Sequence, residues 1–91
     1  EEQALDLNPG PYRNEPEETY LQKEKTEKIR RILMAMNENE RTILLLRDYE
    51  GLSYEETAQI LNISTDAMKS RLYRARQKYR KLYEANKESV D

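Results

Sequence analysis

The sequence contains neither cysteine nor histidine, and these two absences exclude several kinds of site. Without cysteine the chain can form no disulfide framework and no thiolate metal site. Without histidine it lacks the commonest metal ligand and general base. The adjacent Glu55 and Glu56 point about 100° apart on a helix, so they cannot act as a paired carboxylate site. We therefore expect no metal, no other cofactor and no enzymatic activity.

Long apolar runs are missing as well. No stretch approaches the roughly 20 residues needed to span a bilayer, and no signal-peptide pattern opens the chain, so we expect a soluble, cytoplasmic protein. With 91 residues the chain has room for one small domain with a modest core. Charged residues make up 37% and hydrophobic residues 36%, which suits helices with one apolar stripe each. The chain begins at Glu1 rather than methionine, which we interpret as the mark of a fragment.

The two ends of the chain differ from its middle. Residues 1–15 contain the run Pro-Gly-Pro and no apolar periodicity, so they are predicted to be a flexible linker or tail. Residues 16–84 are predicted to be a helical domain, and residues 85–91 a C-terminal tail.

The first two predicted helices meet at a capping signal. The first helix has predicted limits at Pro16 or Thr19 and at about Met36. Asn37, followed three residues later by Glu40, has the pattern of a capping box that starts the second helix. Gly51 should end that helix, because glycine takes the left-handed conformation without strain.

The third and fourth predicted helices are joined by a very short turn. Ser53 and Glu56 form a second capping-box pattern, and the helix that they start closes at Leu61. Asn62 is expected in the left-handed conformation, and Ser64 then caps the fourth helix. Helices joined so tightly must cross steeply, as in a helix-turn-helix. The predicted fold is all-α: a small four-helix domain without strands, with its helix-turn-helix at the C-terminal end.

The predicted fourth helix concentrates positive charge. Residues 66–83 contain seven basic residues and one acid, although the whole chain has 16 basic and 18 acidic residues and a net charge of −2. On a helical wheel the core stripe consists of Met68, Leu72, Ala75, Tyr79 and Leu82. Arg71 and Arg76 lie at the margins of this stripe, where they should cover the core and pair with acids, Arg71 with Glu55 or Glu56. The outward face consists of Asp66, Ser70, Tyr73 and Gln77, flanked by Lys69, Arg74, Arg80 and Lys81.

Two interpretations of this outward face compete. A solvated face would more often mix Glu with Lys at four-residue spacing, because such pairs stabilise a helix. Here acids are missing after Asp66, which favours a surface that binds phosphate. In a helix-turn-helix the second helix lies in the major groove of DNA, and the free N–H groups near Ser64 and Thr65 could hold a phosphate.

The stretch RTILLLRDYEGLSYEETAQILNISTDAMKSRLYRARQKYRKLY resembles region 4 of bacterial RNA polymerase sigma factors, particularly the extracytoplasmic-function (ECF) group. The resemblance covers about residues 26–84, and the segments GLSYEETAQIL and KSRLYRAR carry it. It implies a domain that recognises the promoter −35 element in double-stranded DNA and docks on the flap of the RNA polymerase β subunit. It also implies an anti-sigma factor as a partner.

The resemblance assigns roles to particular residues. Base reading would fall on Lys69, Ser70, Tyr73 and Arg74, and contact with the DNA backbone on Arg41. The chain departs from the family where Met36-Asn37 replaces the usual Leu-Pro, and where Asp66-Ala67 replaces the usual Gly-Thr and its hydroxyl. The complete set of expected DNA-binding residues is Arg41, Ser64, Thr65, Asp66, Lys69, Ser70, Tyr73, Arg74, Gln77, Arg80 and Lys81.

Two alternatives remain open at the level of sequence. One is the helix-turn-helix DNA-binding domain of response regulators, which usually lacks the S-R-L-x-R-A-R run found here. The other is a helical protein-interaction module, in which the apolar run 43–46 and a stripe on the first helix form a groove for a partner helix. That stripe consists of Ile29, Ile32, Leu33 and Met36.

Overall fold

The computed structural model describes residues 3–7 and 20–88 of the chain. Its helices are α1 (Tyr20–Met34), α2 (Glu38–Leu44), α3 (Tyr54–Leu61) and α4 (Thr65–Glu88), and a π-helical turn (Leu45–Tyr49) follows α2 directly. The described residues contain no strand. The prediction of an all-α, four-helix domain is therefore confirmed.

Local hydrogen bonds fix the junction between α1 and α2. The Glu40 amide donates to Asn37 Oδ1 at 2.8 Å, and the Asn37 amide donates to Glu40 Oε1 at 3.1 Å, which is the predicted capping box. Helix α1 ends at Met34, two residues before its predicted limit. Arg41 satisfies one carbonyl of its last turn and one just beyond it, because Arg41 Nη1 donates to Leu33 O at 3.1 Å and to Met36 O at 2.8 Å. The two predicted starts of α1 lie outside the described residues.

The second predicted helix differs from the observed one. Helix α2 ends at Leu44 and continues as the π-helical turn, closed by the Glu50 amide donating to Leu45 O at 2.8 Å. A π-turn holds one more residue than an α-turn and therefore changes the direction of the side chains that follow. Gly51 then adopts φ +79°, with no atom within 4 Å of where a Cβ would lie. The backbone conformation alone favours glycine at this position.

The helix-turn-helix joint has the predicted geometry. Asn62 lies in the left-handed region at φ 59° and ψ 45°. The Ile63 amide donates to Ala58 O at 3.0 Å, closing the turn that ends α3. Ser64 Oγ then accepts a hydrogen bond from the Ala67 amide at 3.0 Å, which starts α4. The C-terminal end of α3 and the N-terminal end of α4 thus both find hydrogen-bond partners in this short turn.

The core lies where α4 packs against α1, α2 and α3. Helix α4 contributes Met68, Leu72, Ala75 and Tyr79, as the helical wheel predicts, while Leu82 is half-buried at its edge. Leu7 also lies in the core with only 3% of its surface exposed, although residues 1–15 were predicted to be a flexible linker or tail. Helix α4 reaches Glu88, beyond the predicted domain limit at residue 84. The division into linker, domain and tail stays a prediction.

Membrane insertion finds no support in these elements. No described helix combines the length and the apolar character needed to cross a bilayer.

Candidate nucleic-acid interface

The start of α4 presents a short polar turn to solvent. Ser64 is exposed, and its hydroxyl oxygen is occupied by the cap of the helix. Thr65 is half-buried, and Asp66 is exposed in the first turn. Ser64 therefore has a structural task in addition to the phosphate contact predicted for it.

The outward face of α4 carries cations that have no acidic partner among the described residues. Lys69, Arg74 and Lys81 are exposed, and none of them forms a salt bridge within the described chain. Two polar residues lie between them, exposed Ser70 and Tyr73, of which Tyr73 has 55% of its surface in solvent. The structure thus brings together the four residues predicted to read bases on one accessible face. Gln77 and Arg80 are half-buried towards the C-terminal half of the helix.

Two of the predicted DNA-binding arginines are also engaged within the protein. Arg41 is half-buried and bonded to the end of α1. Arg80 Nη2 donates to the carbonyl oxygen of Gln3 at 2.7 Å, a contact across 77 residues of sequence. Neither engagement could be read from the local sequence, because helical periodicity does not report which backbone carbonyl an arginine side chain reaches.

The two arginines at the stripe margins have different environments. Arg76 is 3% exposed and pairs with Asp48 of the π-helical turn. Arg71, in contrast, is exposed and forms no salt bridge with either glutamate of α3. Glu56 is committed to the capping box, where its Oε1 accepts from the Ser53 amide at 3.0 Å. The predicted pairing is correct in kind for Arg76 and wrong for Arg71.

A group of stacked side chains supports Lys69, and sequence analysis missed it. The Lys69 ammonium lies 5.4 Å from the centre of the Tyr54 ring, and the Arg47 guanidinium lies 4.5 Å from it. Both distances fall within the range of cation–π attraction. The stack joins the first residue of α3 to the outward face of α4, so it restrains a predicted base-reading side chain.

Other charges on α4 are partly compensated. Lys78 Nζ lies 3.8 Å from Glu40 Oε2 at the edge of α2.

Burial, with smaller contributions from Tyr83 and Asp6, raises the pKa of Tyr79 to about 12. In the described part of the chain, no group of three or more acidic side chains is placed to hold a metal ion.

Comparison with known families gives a direct result for this arrangement of helices. The family described as Sigma-70, region 4 matches residues 26–78, which is more than half of the chain. The chain belongs to the sigma-70 region 4 family. The match includes both helices of the helix-turn-helix down to Lys78, and it decides against the response-regulator alternative.

Several curated sigma factors are similar to this region 4 chain. RNA polymerase sigma factor YlaC of Bacillus subtilis is 34% identical over 68 residues, which are 75% of this chain and 39% of the relative. RNA polymerase sigma-H factor of Pseudomonas aeruginosa and ECF RNA polymerase sigma-E factor of Escherichia coli are each 36% identical over 62 residues. Those residues are 68% of this chain and 32% of each relative. No solved structure matches the chain at a significant level.

The similarity to sigma factors confirms two predictions. The region 4 assignment within the ECF group agrees with the family and with the names of its relatives. Sigma factors are transcription initiation factors and not enzymes, so the prediction of a non-enzymatic protein is confirmed. The region 4 chain spans only about a third of the length of the curated relatives that it matches.

Proposed function

We propose that this chain binds the −35 element of promoter DNA as part of a sigma factor that directs RNA polymerase to initiate transcription. The observation that carries the proposal is the outward face of α4, where Lys69, Arg74 and Lys81 are exposed without acidic partners among the described residues. Such a face attracts the phosphates of DNA whatever the base sequence of the DNA. Membership of the sigma-70 region 4 family supports DNA as the ligand.

In the proposed mode, the N-terminal half of α4 enters the major groove while α3 crosses the DNA backbone. Arg74 and Lys69 would donate to guanine, which is the commonest base-specific contact of these side chains. Ser70 and Tyr73 would donate to or accept from neighbouring base edges. Contacts to phosphate and sugar would position the helix without reading sequence. We assign those contacts to Arg41, Ser64, Thr65, Gln77, Arg80 and Lys81.

Asp66 has a different role in this mode. An exposed carboxylate in the first turn of α4 would repel phosphate, but it accepts readily from the exocyclic amine of cytosine. We therefore assign Asp66 to a base edge. The usual Gly-Thr of the family is absent here, so the hydroxyl that would bind phosphate at that point is absent as well.

A salt titration tests the electrostatic part of the proposal. The chain first selects the duplexes that it binds from a pool of random DNA. The affinity of the chain for a selected duplex is then measured at increasing salt, and its logarithm is plotted against the logarithm of the salt concentration. If about four to six phosphates are neutralised, the slope is expected near −4 to −5. A flat response would contradict DNA binding and favour the protein-interaction module.

A matched pair of variants tests the assigned face. Arg74→Ala and Arg31→Ala each remove one exposed arginine, the first from α4 and the second from α1. Only Arg74→Ala should reduce the preference for the selected sequence over random DNA, because only Arg74 is assigned to a base edge. An equal loss of this preference in the two variants would mean that the chain binds DNA through its overall charge alone.

Docking on the β flap of RNA polymerase is the second part of the proposed function. An apolar cleft between α1 and the π-helical turn supports it, with Ile29, Leu33, Leu45 and Tyr49 among the lining residues. Thr26→Arg would place a large cation at this cleft, whereas Met34→Arg adds the same side chain elsewhere on α1, where Met34 is 61% exposed. Binding to the purified flap should be lost only in Thr26→Arg. Loss in both variants or in neither would contradict docking at this cleft.

The remaining partner and the location follow from the same proposal. An anti-sigma factor that blocks the α4 face or the α1 cleft would prevent one of these two contacts. Competition between such a protein and promoter DNA for the chain would identify the blocked face. Because promoters and RNA polymerase share the bacterial cytoplasm, we propose that the chain acts there.

A further inference from the structure

An N-terminal segment without regular secondary structure, Gln3–Leu7, lies against the helices; we call these five residues the strap. Leu7 is buried in the core with 3% of its surface exposed, and Leu5 is half-buried against the same core. One buried and one half-buried leucine are a substantial apolar contribution for so short a segment. The strap is therefore attached to the domain by packing as well as by sequence.

Two polar contacts connect the strap to the arginines of α4. The Leu5 amide donates to Asp48 Oδ2 at 3.2 Å, and this carboxylate is the one that pairs with Arg76. The Gln3 carbonyl oxygen accepts from Arg80 Nη2 at 2.7 Å. The first contact fixes the strap to the buried ion pair. The second contact occupies one N–H group of Arg80, a half-buried residue of α4.

The strap also brings negative charge towards this basic surface. Asp6 lines one cleft together with the cations Lys25, Lys28 and Arg80 and with a second carboxylate, that of Glu84. A carbonyl oxygen on the guanidinium and a carboxylate in the same cleft are the groups that an arginine would exchange for a phosphate oxygen. The docked strap thus presents to Arg80 the kind of acceptor that DNA would present.

We propose that the strap is an autoinhibitory element that competes with DNA phosphate for Arg80. The proposal rests on the proposed DNA binding of α4. Docked, the strap engages Arg80 Nη2 through the Gln3 carbonyl and places Asp6 in the same cleft; released, it makes that N–H group available for one phosphate contact. Only chains whose strap is released make this added contact, so a larger docked fraction lowers the apparent DNA affinity.

Release of the strap can be produced in the full chain by Leu7→Asp, which places a charge at a buried position. Ala4→Asp is the matched control, because it adds the same charge at an exposed position of the same segment. Leu7→Ala is a milder second variant, and circular dichroism confirms that each variant keeps its helices. Hydrogen exchange at the Leu5 amide reports directly whether the strap is docked.

The expected result has three parts. Leu7→Asp should lose protection of the Leu5 amide, bind DNA more tightly than the unaltered chain at low salt, and show a salt slope steeper by about 0.9, the value for one added phosphate. Ala4→Asp should retain protection and show neither gain. Arg80→Ala should remove the gain when combined with Leu7→Asp, because Arg80 is the group that the strap releases.

Three outcomes would overturn the proposal. If Leu7→Asp and Leu7→Ala both retain protection of the Leu5 amide, the strap stays docked even without its buried leucine and cannot exchange with DNA phosphate at Arg80. If protection is lost but affinity and slope are unchanged, the strap does not compete with DNA. If the gain persists in the double variant with Arg80→Ala, another group is responsible. Failure of the unaltered chain and of every variant to bind DNA would instead overturn the proposed function, and the competition with it.

Discussion

Arg76 of α4 donates two hydrogen bonds to Asp48 of the π-helical turn, from Nη2 to Oδ1 at 2.6 Å and from Nε to Oδ2 at 2.9 Å. The two side chains are only 4% and 0% exposed. A buried pair of this kind contributes little net stability over an apolar pair, but it is costly to break on one side. It fixes the π-helical turn against the middle of α4.

We expect Asp48→Asn to destabilise the chain by about 3–5 kcal/mol, because it removes the negative charge that faces the buried Arg76 guanidinium. The double variant Asp48→Leu with Arg76→Met should recover most of that loss. Urea unfolding of the two variants measures both effects. Glu27→Gln, which breaks the exposed pair of Glu27 with Arg30, is the control and should change stability little. A small effect of Asp48→Asn would mean that water reaches the pair.

The left-handed turn at Asn62 leads to a second prediction. Asn62→Gly should be neutral or slightly stabilising, whereas Asn62→Val should destabilise by about 1–2 kcal/mol, because a β-branched residue is strained at φ 59°. Urea unfolding gives the stability, and DNA affinity reports whether α4 is misaligned. Gly51→Ala is the companion variant, since its cost would come from φ +79° alone in open space. A valine variant as stable as the unaltered chain would contradict the strain argument.

A third prediction concerns the exposed arginines of α4. Arg71→Ala and Arg74→Ala should both leave the melting temperature nearly unchanged, because neither side chain forms a salt bridge within the described residues. Arg76→Ala should lower it strongly. Calorimetry of the three variants makes the comparison directly. A loss in Arg71→Ala as large as that in Arg76→Ala would restore the predicted pairing with an acid of α3.

The buried phenol of Tyr79 gives a prediction for alkaline pH. An unfolded tyrosine loses its proton near pH 10, whereas burial raises the pKa of folded Tyr79 to about 12. Its contribution to stability is therefore fully present below pH 10 and is lost as the pH rises from 10 to 12. The phenolate absorbance should show a late phase that Tyr79→Phe removes and that Tyr73→Phe, at a 55% exposed position, leaves in place. Disappearance of the late phase in both variants would contradict the assignment.

Local chemistry explains what the sequence could predict. The capping boxes at Asn37 and Ser53 and the left-handed Asn62 depend on residues at most three positions apart, so short patterns suffice to find them. The core stripe of α4 follows from helical periodicity in the same way. The exposed face that carries the predicted base-reading residues is the complement of that stripe.

Contacts between distant parts of the chain explain what could not be predicted. Arg76 lies 28 residues from Asp48, and Leu5 lies 43 residues from it. No periodicity within a helix reports such approaches. The π-helical turn is equally hidden, because Leu45 and Leu46 fit an ordinary buried helix by composition. Arg71 and Arg76 both lie near the stripe on a wheel, and only the position of Asp48 distinguishes them.

Helix α4 runs over 24 residues, about 36 Å at 1.5 Å per residue, and supplies both the inner packing of the domain and its outward polar face. The core-packing side chains and the outward polar side chains therefore lie on opposite sides of one helix. Substitutions at Ser70, Tyr73 or Arg74 can accumulate without disturbing Met68, Leu72 or Ala75. A lineage carrying this domain can thus vary its outward polar face while retaining its scaffold, and the direction of each side chain from the helix axis separates the two kinds of change.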